Sequence, residues 1–362
     1  MEGSSQKITV CYFGIYKSQF SRNKIYQDGL RAQGIHIIEC QDDSRGILKF
    51  FRLFKKHWKI RNDYDVLIVG YTGYITVPFA RLISSKPIIF DALCSLYEAE
   101  VLSRTARPMS WFKKTSIKCI DWLAVKCAHK VLVESNPQKD FFVKRFNLDQ
   151  KKVIRVLTGV DTSVFYPIET SKRKKFTAVF RGTVMEEAGI AHIVDAARIL
   201  EAHDVDVIIA TSNSDARATG IEEYIKSQNI STITFIAKYL SFEELRMLMQ
   251  SCHVSLGQFA DHVRLERTIP HKSYESLAMR LPYITAQATG VQDVFTDKEN
   301  VLFCNKADPN DLANKILDLK SDAQLQASLA ENGYALCQST FTPDVLGKEL
   351  SQLVAECYNQ AK

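Results

Sequence analysis

An α/β protein made of two Rossmann-like domains facing each other across a cleft is the fold this sequence predicts, and three observations predict it. The chain has 362 residues with 46% apolar content, enough to bury a large core and more than one small domain needs. Short β-branched runs alternate with helical patterns from the start: Ile8 to Phe13, His36 to Glu39, Asp65 to Val69, Pro87 to Phe90, Lys130 to Val133 and Val153 to Leu157. Such alternation implies right-handed βαβ units and a parallel sheet covered on both faces. The rhythm then restarts. Beyond the polar, basic stretch Glu169 to Lys175 come Phe176 to Phe180, Val205 to Ala210, Ile233 to Ile236, Val254 to Gly257, Tyr283 to Ala286 and Val301 to Phe303. The boundary is expected near 167–175, giving domains 1–168 and 173–340, with a final helix in 341–362 packing back toward the first domain.

Between the later runs, Ile190, Ile193, Val194, Ala197 and Leu200 keep the spacing of a helix with one face on a sheet. Open parallel sheets bind ligands at the carboxyl ends of their strands, so two of them suggest a shared cleft.

Composition excludes several classes. The 47 basic against 41 acidic side chains leave +6, too mild to argue for nucleic-acid binding, and none is expected. The nine cysteines are scattered without a C-x-x-C pair or metal-ligand spacing, so they read as reduced small hydrophobes. No signal-peptide h-region opens the sequence, and the longest apolar runs, such as Val66 to Gly70, are strand length. The cytosol is the expected compartment. Neither a Walker-type loop nor G-x-G-x-x-G follows the first strand of either half, which argues against P-loop NTPases and dinucleotide oxidoreductases. Asp204-Val-Asp206 has the look of a metal-binding D-x-D, yet it directly precedes an apolar strand, where a turn explains it better. No metal is expected.

The most informative segment runs from Arg264 to Thr285. Pro270 suits a first helical turn, placing Lys272 near the helix N-terminus and Glu275 one turn later. A helix N-terminus with a lysine forms a natural diphosphate cradle. A carboxylate one turn on can accept both hydroxyls of a ribose. Taken alone, the segment reads equally as a solvated helix start with a surface Lys and Glu.

Pro270, Lys272, Glu275, Leu277, Ala278, Pro282 and Thr285 resemble the P-x-K-x-x-E-x-x-A-x-x-x-P helix and following strand of the GT-B glycosyltransferases, specifically glycosyltransferase family 4. The resemblance covers most of the chain. Phe180-Arg-Gly-Thr-Val-Met-Glu-Glu-Ala-Gly-Ile190 resembles the first strand, glycine loop and helix of the donor domain, with Arg181 and Gly182 at the strand end. Gly159-Val-Asp-Thr-Ser-Val-Phe-Tyr-Pro167 resembles the family linker, and Thr289-Gly290 and Asp308-Pro309 its late T-G loop and D-P helix start. Ile236 to Leu245 resembles the strand and turn that hold the nucleobase, which would place Lys238, Tyr239 and Leu240 in that slot. The resemblance implies a retaining enzyme that moves a hexose-type sugar from a nucleoside-diphosphate sugar to a glycan or lipid-linked acceptor. Its first domain would bind the acceptor, its second the donor, and the nucleotide sugar would be a co-substrate, with no other cofactor.

The departures matter as much. Many family members carry an Arg and a Lys in the first donor-domain loop, where this chain has Thr183 and Ala188, and a second glutamate where it has Arg267. Arg267 and Lys272 are therefore expected to neutralise the diphosphate together, with Arg181 the weaker candidate, because departure of a nucleoside diphosphate requires stabilising its developing charge. A surface arginine is the plain alternative for Arg267.

In the first half, Cys11-Tyr-Phe-Gly14 ends its strand in a glycine that lets backbone approach a ligand, or that simply makes a tight turn. Family members often place a histidine after the fourth strand, but this chain reads Ile89-Phe-Asp-Ala-Leu-Cys-Ser95. Asp91 and Ser95 are the nearest polar groups there; Asp91 either orients a hydroxyl or the departing group, or caps the next turn. Arg45 to Arg61 interleaves five inner Lys and Arg with Phe50, Phe51, Phe54 and Trp58 and has no acid, so it suits anionic lipid headgroups. Arg104, Arg107, Trp111, Phe112, Lys113 and Lys114 would extend that surface. Otherwise both are ordinary sheet-covering helices with buried aromatics and cationic outer faces. Two other functions fit the same sequence: a nucleotide-sugar epimerase or hydrolase, and a nucleotide-sugar-binding subunit without catalysis.

Overall fold

A computed structural model describes residues 8–17, 21–103, 109–211 and 216–362, the side chains of 216–219 excepted. Arg104 and Arg107 of the second basic stretch lie outside the described residues. The chain divides into two compact units, Met1–Asp161 with Thr340–Lys362, and Thr162–Ser339.

The first unit holds β1 (Thr9–Gly14), β2 (His36–Gln41), β3 (Val66–Val69), β4 (Ile88–Leu93), β5 (Lys130–Val133) and β6 (Val153–Arg155). The second holds β7 (Phe176–Arg181), β8 (Val205–Thr211), β9 (Ile233–Ala237), β10 (Val254–Leu256), β11 (Tyr283–Ala286) and β12 (Leu302–Cys304). Each unit is one six-stranded sheet, in the orders β2-β1-β3-β4-β5-β6 and β12-β11-β10-β7-β8-β9. Every strand pair is parallel. All twelve expected runs are strands, which makes the protein the α/β, doubly Rossmann-like chain that the sequence predicts.

Crossover handedness sorts the helices of the first unit. The step from β1 to β2 moves one way along the sheet and all later steps move the other way, so the first helix falls on the face opposite the next four. Leu53, Val77, Ala124 and Phe142, from four successive helices, accordingly share one core with Phe13, Val69, Phe90 and Val133. The first helix, Ser21–Ala32, packs instead on the terminal helix Pro343–Gln360. Glycine allows that crossing: a Cβ on Gly29 would lie 2.3 Å from the Pro343 carbonyl oxygen, and one on Gly347 2.2 Å from that of Gly29. Helix propensity alone favours Gly29→Ala by about 1 kcal/mol, whereas forcing a methyl against backbone costs up to about 3 kcal/mol. Gly29→Ala is therefore expected to lower the unfolding free energy by about 1–2 kcal/mol, read as an earlier denaturant midpoint at unchanged slope.

The same face buries a charged cluster. Arg22, fully buried, donates from Nε to Asp91 Oδ1 and Oδ2 at 2.8 and 3.0 Å and from Nη1 to Thr158 Oγ1 at 2.8 Å. The Thr158 hydroxyl in turn donates to Glu134. A single guanidinium thus ties the first helix to the ends of β4 and β5 and to the chain leaving β6.

In the second unit the helix Ile190–Glu201 buries Ile190, Ile193, Val194, Ala197 and Leu200 against the sheet, as its spacing requires. The helix Leu48–Ile60 departs from the ordinary sheet-covering alternative. It buries Leu53 and His57, while Phe51, Phe54 and Trp58 stay exposed.

Candidate functional site

In the second unit, β7 ends at Arg181 and the chain turns at Gly182, whose φ of +142° is natural only for glycine. A Cβ there would stand 3.2 Å from Lys272 Nζ. Gly182 is thus both the turn and the space through which Lys272 reaches the strand end. Lys272 belongs to the helix His271–Ala278, which begins just after Pro270; that residue caps the helix in extended conformation instead of lying in its first turn. The ammonium sits 3.8 Å from the centroid of the Phe180 ring. Burial first, and Arg181 second, hold its pKa well below the ordinary lysine value, opposed by Glu187. A buried lysine and a partly exposed arginine beside a helix N-terminus can meet a multiply charged anion.

Glu275 lies one turn further into the helix, forms an ion pair with Arg181 and receives His271 Nδ1 at 3.0 Å. Its carboxylate is positioned by a cation from β7 and a ring from its own helix. His271 was not singled out in the sequence, although its i,i+4 spacing to Glu275 was there to read.

A pocket of about 230 Å³ opens at the same strand ends, lined by Arg181, Gly182, Thr211, Lys238, Tyr239 and Leu240, with Phe242 beside them. The three expected nucleobase residues therefore share one cavity with Arg181 and Gly182 at the end of β7, while Lys272 and Glu275 are not among its lining residues. Phe242 escaped the sequence reading. Its signal is the Ser241-x-x-Glu244 capping box, which begins the helix Phe242–Ser251 and fixes where the first ring of that helix falls.

Arg267, half-buried, ends the turn Val263–Glu266 and is not among the charges acting on Lys272; Arg181, the weaker candidate in the sequence, is. The loop whose family cations are replaced by Thr183 and Ala188 contributes Glu187, which pairs with Arg264 at 2.6 Å. Gly290 is a packing position: a Cβ there would lie 2.6 Å from the Thr268 carbonyl oxygen. It lets the Thr289 loop close on that turn, where Thr289 donates to Glu266.

In the first unit Gly14 has φ +138° and ends β1 beside Thr76. Asp91 is corrected outright. It is fully buried with both oxygens on Arg22, leaving no surface to meet a substrate. Ser95 is likewise structural, exchanging hydrogen bonds with Glu98 in a buried capping box. The polar groups around β4 that the sequence offered for chemistry are spent on holding the fold.

Asp204 forms an ion pair with Lys175 at 2.7 Å and adopts φ +51° before β8, so the D-V-D triplet is a turn residue followed by the first two residues of that strand. Among the described residues no group of three or more His, Cys, Asp or Glu side chains is arranged to hold a metal ion, and no helix is long and apolar enough to cross a membrane.

Comparison with known proteins bears on this geometry. Residues 165–336 match the family described as "Glycosyl transferases group 1". The capsular polysaccharide biosynthesis glycosyltransferase CapM of Staphylococcus aureus is 20% identical over 329 residues, covering 86% of this chain and 80% of that one. An uncharacterized glycosyltransferase of Methanocaldococcus jannaschii is 24% identical over 194 residues, or 52% of this chain; the match spans about half, 49%, of that relative. Among solved structures, Anabaena HepE in complex with UDP and glucose superposes with a TM-score of 0.71 at 14% identity, over 97% of this chain and all of the other. Sucrose-phosphate synthase from Thermosynechococcus elongatus gives 0.75 at 14% identity, over 98% of this chain and all of the other. Likeness at that identity establishes the shared fold.

Proposed function

We propose that this chain, whose residues 165–336 match the group 1 glycosyl transferases and whose fold is GT-B, moves a hexose-type sugar, with retention, from a nucleoside-diphosphate sugar to a hydroxyl of a glycan or lipid-linked acceptor. The observation that carries this reading is the buried Lys272 beside Arg181 at a helix N-terminus. Basic side chains preorganised at a helix N-terminus stabilise the charge that grows on a diphosphate as its bond to the anomeric carbon breaks. Glu275 would take the ribose hydroxyls, and the Lys238 to Leu240 pocket the base. The new bond forms on the face the diphosphate leaves. A diphosphate oxygen accepts the acceptor's proton, so no protein nucleophile is required.

On this reading protein cations carry the charge, and the nucleotide sugar is the co-substrate without a metal or organic cofactor. Chelation with EDTA is expected to leave turnover unchanged, and loss of turnover restored by a divalent cation would refute this part. The donor itself is tested by thermal shift with UDP, GDP and ADP. One of them is expected to stabilise the second unit by the mass-action amount, about 2.7 kcal/mol at a hundredfold excess over its dissociation constant. Absence of a shift with all three would turn the reading into that of a non-catalytic subunit.

A further inference from the structure

One face of the first unit's sheet carries the helices Leu48–Ile60, Thr76–Ile83 and Trp111–Cys127 side by side. Phe50 meets Phe79 edge to face at 5.4 Å, and the second helix touches the third. Inward, Leu53, Val77, Ala80 and Ala124 enter the core. Outward, the three helices leave Phe51 57%, Trp58 56%, Leu82 85%, Trp111 70%, Phe112 76% and Trp122 52% exposed. Soluble monomers rarely show contiguous apolar surface on this scale without a partner for it.

The charge on these helices has one sign at the surface. Lys55, Lys59, Arg81, Lys113, Lys118 and Lys126 are exposed. Their single acid, Asp121, is buried and accepts the backbone N–H groups of Leu96 and Tyr97 at 2.7 and 3.0 Å. Nearby Asp42 holds Arg52 at 3.0 Å and Lys56 at 3.7 Å, which leaves Lys55 and Lys59 on the outer face. The cations also sit at the level of the rings: Lys55 Nζ lies 4.7 Å from the Phe51 ring centroid and the Arg61 guanidinium 4.3 Å from that of Trp58. Rings below and ammonium groups level with them match the boundary between acyl chains and anionic headgroups. Exposed Ile47, Leu48 and Leu82 favour lipid over a single-stranded nucleic acid, whose bases stack on rings but gain little from aliphatic side chains.

A second observation ties this face to a cavity. A pocket of about 340 Å³ is lined by Lys49, Tyr71, Tyr74, Ile75 and Glu100. Lys49 belongs to the first of the three helices, and Ile75 is the residue that starts the second. We infer that this three-helix face docks the first unit onto an anionic bilayer, setting the Tyr71 and Tyr74 pocket at headgroup level to take an acceptor carried on a membrane lipid. The docking stands on the surface alone; the pocket's occupant rests on the glycosyl transfer proposed above.

The test is co-sedimentation of the full chain, without nucleotide sugar, with vesicles of phosphatidylcholine alone or mixed with phosphatidylglycerol. Pelleting is expected with the anionic vesicles only, and raised salt should release the chain. Lys55→Gln with Lys59→Gln removes two surface cations and should weaken binding about tenfold or more. Phe51→Ser with Trp58→Ser should do the same at unchanged circular dichroism. Both variants should keep the nucleotide-induced thermal shift, since the second unit is untouched. The inference is overturned if wild type does not pellet, if both variants pellet like wild type, if single-stranded RNA binds in place of vesicles, or if the face proves to be buried in a stable dimer. Failure here leaves nucleotide binding intact, and failure of the transferase reading leaves vesicle binding intact.

Discussion

Lys272→Ala is expected to lower turnover by about 10²–10³, the usual cost of removing one preorganised charge donor from a developing anion. The unliganded protein should be no less stable, because the charged lysine is disfavoured where it sits: burial and Arg181 hold its pKa well below the ordinary value. The linkage sign follows. Between the folded and ordinary pKa values the unfolded chain binds more protons, so this group makes stability rise with pH, and the alanine variant should lose that slope. The decisive measurement pairs two numbers from one variant: an apo melting temperature equal to or above wild type, and a nucleoside-diphosphate shift largely abolished. A retained shift would sink the donor-site assignment. Arg267→Ala should weaken diphosphate affinity by less, since Arg267 is not among the charges acting on Lys272.

Arg22→Ala should produce the largest loss of stability, about 3–5 kcal/mol, because it leaves Asp91 buried without the cation it pairs with and Glu134 nearby. Burial already pushes the Asp91 carboxyl upward, with Arg22 opposing it, so the variant should bind a proton at Asp91 on folding and lose stability further as pH rises. Arg22→Met combined with Asp91→Leu should recover much of the loss, since replacing both charges by apolar groups removes the uncompensated one. Denaturant titration of the single and double variants reads this directly. A single-variant loss below about 1 kcal/mol would mean that water reaches the cluster.

Asp91 also shows why the candidate site was only partly legible. A strand-end aspartate is chemically suited to a substrate hydroxyl or to a guanidinium, and nothing local to residues 89–95 reveals that Arg22, 69 positions earlier, occupies it. The same holds for Arg181 and Arg267. Both are cations near phosphate motifs, and only the turn at Gly182 beneath Lys272 selects Arg181. Gly290 kept its family position, but the backbone of Thr268 and Leu265 accounts for it. By contrast, the helix that carries Lys272 and Glu275 follows from local spacing and could be read in advance, whereas Lys238, Tyr239 and Leu240 were offered by the family resemblance and line one pocket with Arg181.

The linear order of residues by itself determined the alternation of strand and helix, the two parallel sheets and the helix that presents Lys272 and Glu275, because period and capping depend on neighbours within a turn or two. Tertiary structure alone decided which cation stands next to Lys272, that Asp91 holds the fold together, and that the rings of Leu48–Ile60 face outward. Those outcomes depend on pairing across long stretches of chain and on competition for burial. An amphipathic pattern states that one face is apolar, while the space left by the remaining helices settles how much of that face the core can cover.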